Sequence, residues 1–93
     1  MFDEIILKNK QNIINTLFDL IRFKSVSDET NDPSMPFGNE CKNVLYYTLD
    51  LAKSFGFRTK NLDGYCGYIE FGEGDEMLGI IGHLDVVPAN END

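Results

Sequence analysis

The sequence predicts an α/β fold in which two helices pack on a mixed β-sheet. Apolar residues recur at helical spacing in two stretches before Gly56. After Gly56 the pattern changes to short runs rich in aromatic and β-branched residues, separated by Gly-rich turns. Helical stretches followed by strands in one short chain are typical of a sheet that helices cover.

The first predicted helix spans residues 3–23, with Asp3 as a candidate N-cap. Its apolar residues fall on one face, which we expect to pack in the core. The members of this stripe are Ile13, Ile14, Leu17, Phe18 and Ile21. A second helix is predicted over residues 40–55, and Gly56 follows it at the position of a left-handed C-cap residue.

Between the helices, residues 24–39 are rich in Ser, Asp, Asn, Pro and Gly, which predicts a loop. Loops of this length are usually functional or mobile. Ser25 and Ser27 stand near its start with no local base that would make either a nucleophile. We therefore expect both serines to have turn or capping roles.

The strands predicted from the second half are residues 57–61, 65–71 and 77–83. Gly72 and Gly74 lie between the last two and predict a turn that joins them in a hairpin. A phosphate-binding loop is not supported there, because no Lys-Ser/Thr pair follows the glycines. Residues 77–83 are almost continuously apolar, as in a strand buried on both faces.

Charge and cysteine content exclude several classes of protein. The chain has 8 basic and 16 acidic residues, a net charge of −8, which disfavours a nucleic-acid partner. No apolar run approaches the roughly 18 residues of a membrane span, and no secretory signal opens the chain. Cys41 and Cys66 form no C-x-x-C pair, so we expect both cysteines to be small core residues. A reduced, cytoplasmic setting is the expected localisation.

His83 and Asp85 are the residues most suited to chemistry. His83 follows the apolar strand at its expected C-terminal end, where open α/β sheets bind ligands. The spacing of two directs both side chains to the same side of an extended backbone. A neutral imidazole can bind zinc through one nitrogen while the other donates to a carboxylate. These residues alone leave two interpretations open, a supported metal ligand or a hydrogen-bonded structural pair.

The string GHLDVVP, residues 82–88, resembles the first metal-ligand motif of the dinuclear zinc peptidase and deacylase superfamily. That superfamily includes dipeptidases, carnosinases and desuccinylases. LFDLIRFKSVS resembles its opening helix and turn, and CKNVLYYTLDLAKSFGF resembles its second helix. GYIEFGEGDEMLGIIGHLDVVPAN is especially similar to the dipeptidase V branch, so the resemblance extends over nearly the whole chain.

This resemblance implies that His83 binds one of two zinc ions and that Asp85 is the carboxylate that orients His83. It implies a zinc metallopeptidase whose metal-activated water hydrolyses a dipeptide, with residues 1–93 as the N-terminal part of the catalytic domain. A deacylase of small N-acyl amino acids, of the desuccinylase type, is the alternative. The bridging aspartate, the glutamate base, the other ligands and the lid or dimerisation domain have no counterpart here.

One imidazole is too little for a catalytic zinc site, which takes about three protein ligands. We therefore expect no tight zinc binding and no peptidase activity from this chain alone. Glu91 and Asp93 would attract cations only loosely. Exposed apolar surface at the edge of the predicted sheet would favour self-association. A non-catalytic, truncated homologue acting as a binding or structural module is the rival from a different class.

Overall fold

A computed structural model describes residues 2–88. In this part of the chain, helices precede an antiparallel hairpin, an arrangement compatible with the α/β class. The helices are α1 (Phe2–Lys8), α2 (Lys10–Ile21) and α3 (Asn39–Ser54), and the strands are β1 (Arg58–Leu62) and β2 (Cys66–Glu70). The principal packing contact joins α3 to the hairpin.

The helix predicted over residues 3–23 is divided at Asn9. Asn9 has φ −101° and ψ 10°, and its Nδ2 donates a hydrogen bond to the Ile5 carbonyl at 2.8 Å. The Asn9 backbone N–H donates to the same Ile5 carbonyl at 3.2 Å, so the side chain shares this acceptor with the helical bond at the point where the dihedral angles leave the helical range. Because α1 begins at Phe2, Asp3 lies in the first helical turn rather than at the N-cap.

The apolar stripe of α2 is largely exposed, so its predicted place in the core is wrong for the described residues. Leu17 and Phe18 are 54% and 52% exposed. α2 meets α3 along one edge, where the Tyr47 hydroxyl donates to Asp19 Oδ2 at 3.1 Å and the Phe23 and Tyr47 rings lie 5.4 Å apart. Periodicity predicts which face of a helix is apolar. Burial also needs an element over that face, and residues 2–88 supply none.

α3 ends as predicted. Gly56 has φ 91°, its N–H donates to the Lys53 carbonyl at 3.0 Å, and the Phe57 N–H donates to the Ala52 carbonyl at 3.2 Å. This pair of bonds is a Schellman motif, which satisfies carbonyls that the helix end would otherwise leave unpaired. The buried hydrophobic residues of the described chain are Val44, Leu49 and Ala52. All of them belong to α3, so the core lies between this helix and the hairpin.

The turn between β1 and β2 is made by Asp63 and Gly64. Both have positive φ, 57° and 80°, and the Tyr65 N–H donates to the Leu62 carbonyl at 3.1 Å. Positive φ at both central residues of a β-turn favours Asp-Gly, and because Leu62 pairs with Cys66 the loop is residues 63–65. All four strand ends lie within one residue of their predicted positions, but β2 pairs with β1 and not with residues 77–83.

Residues 77–83 form no strand, so the predicted hairpin between them and residues 65–71 is wrong for the described chain. Ile80 and Ile81 are 90% and 99% exposed. A fully apolar strand needs backbone partners and covering elements on both faces, and residues 2–88 do not supply them. Parallel pairing in this part is limited to one isolated bridge, so the described sheet is two-stranded and antiparallel rather than mixed.

Residues 24–39 form a loop, as predicted, and it is held by its own hydrogen bonds. The Asp28 N–H donates to the Phe37 carbonyl at 2.9 Å. The Phe37 ring packs edge-on against Tyr65, with ring centroids 5.6 Å apart. These contacts close the loop against the hairpin turn.

Two further predictions concern the surroundings of the fold. Among residues 2–88, no helix is both long and apolar enough to cross a bilayer. The acidic residues Glu91 and Asp93, predicted to attract cations loosely, lie outside the described residues.

Candidate functional site

The segment that carries the predicted site is attached to the loop that follows α2. The Val86 N–H donates to the Ser25 carbonyl at 3.0 Å, and the Ser25 hydroxyl donates to the Leu84 carbonyl at 2.9 Å. Val26 pairs with Val86 in the isolated parallel bridge. The backbone is therefore fixed on both sides of Asp85.

The structure brings His83 and Asp85 into contact. His83 Nδ1 lies 3.2 Å from Asp85 Oδ1 and 3.0 Å from the Asp85 carbonyl oxygen. Both neighbours are acceptors, so Nδ1 is the ring nitrogen that carries the proton in these hydrogen bonds. In the neutral imidazole, Nε2 then keeps its lone pair for another partner.

Both side chains of this pair are open to solvent. The side chain of His83 is 82% exposed and that of Asp85 is 54% exposed. Contacts this exposed contribute little to stability, because water and ions screen them. The main physical effect of the contact is to select one tautomer and one direction of the ring.

The donor set fits one protein ligand of a zinc site. A histidine whose Nδ1–H is held by a carboxylate is the usual form of a metal-binding imidazole. Residues 2–88 contain no group of three or more His, Cys, Asp or Glu side chains that could hold a metal ion. Catalytic zinc takes about three protein ligands, so the described residues could not complete such a site by themselves.

A cavity of about 340 Å³ lies beside His83, between α3 and residues 82–85. Its walls include the apolar side chains of Phe37, Val44 and Leu45. An apolar cavity with a few polar groups at its border is the common form of a small-ligand site. His83 and Asp85 therefore line the same concave surface as these apolar side chains.

The cysteines are free and differ in burial. Cys41 is half-buried at this cavity, and its thiol donates to the Ser25 carbonyl at 3.4 Å. Burial raises the pKa of the Cys41 thiol, and the nearby Asp85 carboxylate adds to the effect. Cys41 is thus kept as a protonated thiol, consistent with the predicted structural role.

Cys66 is exposed, so its prediction as a core residue is wrong. Neighbouring residues of a strand point to opposite faces. Gly67 faces α3, where a Cβ would meet Leu49 at 2.9 Å, so Cys66 points away from the core.

The serines and glycines that were predicted to lie in turns differ in their burial and in their surroundings. Ser25 is fully buried, whereas Ser27 is exposed. The hydrogen bond from Ser25 reaches a residue 59 positions away, and no local pattern signals such a partner. Gly72 and Gly74 have positive φ, 87° and 141°, in an irregular stretch, so the predicted hairpin turn is not formed there.

Curated proteins that resemble the chain over nearly its whole length carry the name dipeptidase. "Putative dipeptidase YtjP" of Bacillus subtilis (strain 168) is 41% identical over 87 residues, 92% of this chain and 19% of that protein. "Beta-Ala-Xaa dipeptidase" of Lactobacillus delbrueckii subsp. lactis is 41% identical over 91 residues, 97% of this chain and 19% of that protein. A "putative dipeptidase" of Staphylococcus aureus (strain USA300) is 36% identical over 92 residues, 98% of this chain and 20% of that protein.

The chain spans about a fifth of the length of the curated relatives it matches. These similarities support the dipeptidase part of the resemblance. No family model matches the chain.

Proposed function

We propose that this chain is the N-terminal part of the catalytic domain of a zinc-dependent dipeptidase, in which His83 is a ligand to one of two zinc ions. The observation that carries the proposal is the contact between His83 Nδ1 and Asp85 on an exposed side chain. In the neutral imidazole, a proton on Nδ1 leaves Nε2 as the nitrogen that can bind a metal. Asp85 would not touch the metal. It would hold the ring and make the imidazole a better donor.

The substrate class rests on the names of the relatives. One of them is named as a dipeptidase for peptides with an N-terminal β-alanine, and the others as dipeptidases without further detail. We therefore propose a dipeptide as the substrate. A small N-acyl amino acid is the alternative, since the residues that would distinguish the two are not among those described.

Bound zinc would lower the pKa of a coordinated water and polarise the scissile carbonyl. The contribution of this chain is to place one ligand. The cavity beside His83 would keep apolar surface next to the ligand, and the backbone bonds at Leu84 and Val86 would fix the direction of the ring. The general base and the remaining ligands would come from sequence outside residues 2–88.

For the 93-residue chain alone, we propose neither tight zinc binding nor peptidase activity. The number of donors supports this, because one imidazole provides about a third of a normal catalytic ligand set. The same observation favours a second candidate function, a non-catalytic module that binds a partner or is only structural. The dipeptidase names of the relatives favour the first candidate.

The test is to express the product of the complete reading frame that contains this chain and to measure its zinc content and its hydrolysis of β-alanyl dipeptides, α-dipeptides and N-succinyl amino acids. We expect stoichiometric zinc and cleavage of dipeptides, with a loss of zinc in His83→Ala. Preferential cleavage of the succinylated substrates would support the deacylase alternative.

If the protein takes up no zinc and cleaves none of these substrates, the dipeptidase proposal is contradicted and the non-catalytic module is the candidate function that is supported. Calorimetry on the 93-residue chain provides the complementary measurement. A stoichiometric submicromolar zinc site that is lost in His83→Ala would contradict the proposed incompleteness of the site.

A further inference from the structure

We propose that Ser25 is a positioning residue that holds Asp85 against His83, an inference that rests on the proposed function because the position matters only if His83 binds a metal. Ser25 forms no hydrogen bond with either side chain of the pair. It bonds the backbone on each side of Asp85, through the Leu84 carbonyl and the Val86 N–H.

The burial of Ser25 is unusual in so open a chain. It is the fully buried polar residue of the described part, with 0% exposure. A buried hydroxyl costs free energy unless it is hydrogen-bonded. Ser25 Oγ meets this requirement with the Leu84 carbonyl at 2.9 Å, and the Ser25 carbonyl accepts from the Val86 N–H and the Cys41 thiol. Ser25 therefore links α3 and the site segment to the loop after α2.

The site segment has little else to fix it. Ile80 and Ile81, just before the site, are almost fully exposed. The hydrogen bonds from Ser25 Oγ to the Leu84 carbonyl and from the Val86 N–H to the Ser25 carbonyl tie residues 77–88 to the loop after α2. The isolated bridge between Val26 and Val86 includes the same bond from the Val86 N–H to the Ser25 carbonyl.

Loss of the Ser25 hydroxyl would therefore act on the imidazole through the backbone. The contact of His83 Nδ1 with Asp85 is exposed and competes with water, so it persists only while the backbone is held. Once the Leu84 anchor is lost, we expect the ring to sample both neutral tautomers. The share of His83 with a free Nε2, the form that binds metal, would then fall.

Long-range proton–nitrogen NMR on the ¹⁵N-labelled 93-residue chain tests this directly, at a pH where imidazole is neutral. The chain has one histidine, so the ring signals are unambiguous. The variants are Ser25→Ala, Ser25→Thr, which keeps the hydroxyl, and the control Ser54→Ala at an exposed serine away from the site. We expect a protonated Nδ1 in the unsubstituted chain and in Ser54→Ala, a mixture of tautomers in Ser25→Ala, and recovery in Ser25→Thr.

Amide hydrogen exchange supplies the second readout. We expect Val86 to be protected in the unsubstituted chain and to exchange roughly fivefold faster in Ser25→Ala, the effect of losing about one hydrogen bond. The amides of the β1–β2 ladder should keep their rates, since the substitution acts on the site segment. A merely structural role would change the ladder as well.

The inference is overturned if Ser25→Ala leaves both the tautomer and Val86 exchange unchanged. It is also overturned if Val86 of the unsubstituted chain exchanges as fast as Ile81, a result that needs no folded variant. Protonation of Nε2 in the unsubstituted chain, with Val86 protected, would instead contradict the proposed function and leave the Ser25 anchor intact.

Discussion

Leu49 of α3 lies directly against Gly67 of β2. A Cβ built on Gly67 would come 2.9 Å from Leu49 Cδ1 and 3.0 Å from Cδ2. The missing side chain lets the helix approach the strand closely. Leu49 is 7% exposed, so this contact belongs to the small core on which the described fold depends.

We expect Gly67→Ala to destabilise the chain by about 1–3 kcal/mol, because the added methyl overlaps a buried leucine and forces the helix or the strand to shift. Urea unfolding followed by circular dichroism would measure the loss. Gly79→Ala is the control, since a Cβ there meets nothing within 4 Å. Equal midpoints for the two variants would contradict the packing of α3 on β2.

The location of the core gives a second prediction. Leu49→Ala should cost about 2 kcal/mol or more, the usual loss for a buried leucine, whereas Leu17→Ala on the exposed face of α2 should stay within about 0.5 kcal/mol. The same unfolding measurement compares the two leucines. Similar losses at both positions would mean that the α2 stripe is covered in solution.

Tyr47 gives a prediction of pH dependence. Partial burial raises the pKa of Tyr47, and its hydrogen bond to Asp19 raises it further. A raised folded-state pKa stabilises the fold below the unfolded value of about 10, and that stabilisation is lost as the pH rises through the folded value. Asp19→Asn removes the carboxylate charge, so we expect it to lower the pKa of Tyr47.

An NMR titration of the Tyr47 ring, assigned with Tyr47→Phe, would measure that shift. Asp75→Asn removes a carboxylate from the irregular stretch after β2 and serves as the control. A pKa of Tyr47 that responds equally to both substitutions would exclude a specific role for Asp19.

Self-association follows from the exposed segment 77–83. Ile80 and Ile81 present nearly their whole surface to solvent, and contiguous apolar surface of this kind favours association. We expect the average mass in sedimentation to rise with concentration, and the paired substitution Ile80→Lys with Ile81→Lys to reduce that rise.

The control for charge is Gln11→Lys with Asn31→Lys, which adds the same charge at two exposed polar positions. Association that both pairs suppress equally would point to net charge, and not to the apolar segment, as its cause.

The parts of the fold that were predicted correctly depend on local sequence. The end of α3 follows from Gly56, because only a residue that readily adopts positive φ completes the Schellman motif. β1 and β2 follow from local composition. The signal for their pairing is also local, in Asp63 and Gly64, whereas Gly72 and Gly74 favoured the wrong pairing of residues 65–71 with residues 77–83.

The wrong predictions concern burial, which depends on elements far away in the chain. The α2 stripe and residues 77–83 have the composition of buried elements, yet the described chain places nothing over them. A pattern can show that a face is suited to a core without showing what covers it.

In the candidate site, too, local contacts could be predicted from the sequence and long-range contacts could not. The contact between His83 and Asp85 was predicted from their spacing of two, which would place both side chains on one side of an extended backbone. The bond from Ser25 to Leu84 joins residues 59 positions apart, and a serine in a polar loop resembles any other turn residue. Only the fold reveals it.

The most direct measurement is a zinc titration of the 93-residue chain followed through the ring nitrogens of its one histidine. The account predicts that Nδ1 is protonated throughout, that zinc shifts the Nε2 signal, and that binding is weak because one imidazole provides the ligand. A ring whose Nδ1 responds to zinc, or whose Nε2 stays protonated and unchanged at high zinc concentration, would contradict the proposal that His83 is a metal ligand held by Asp85.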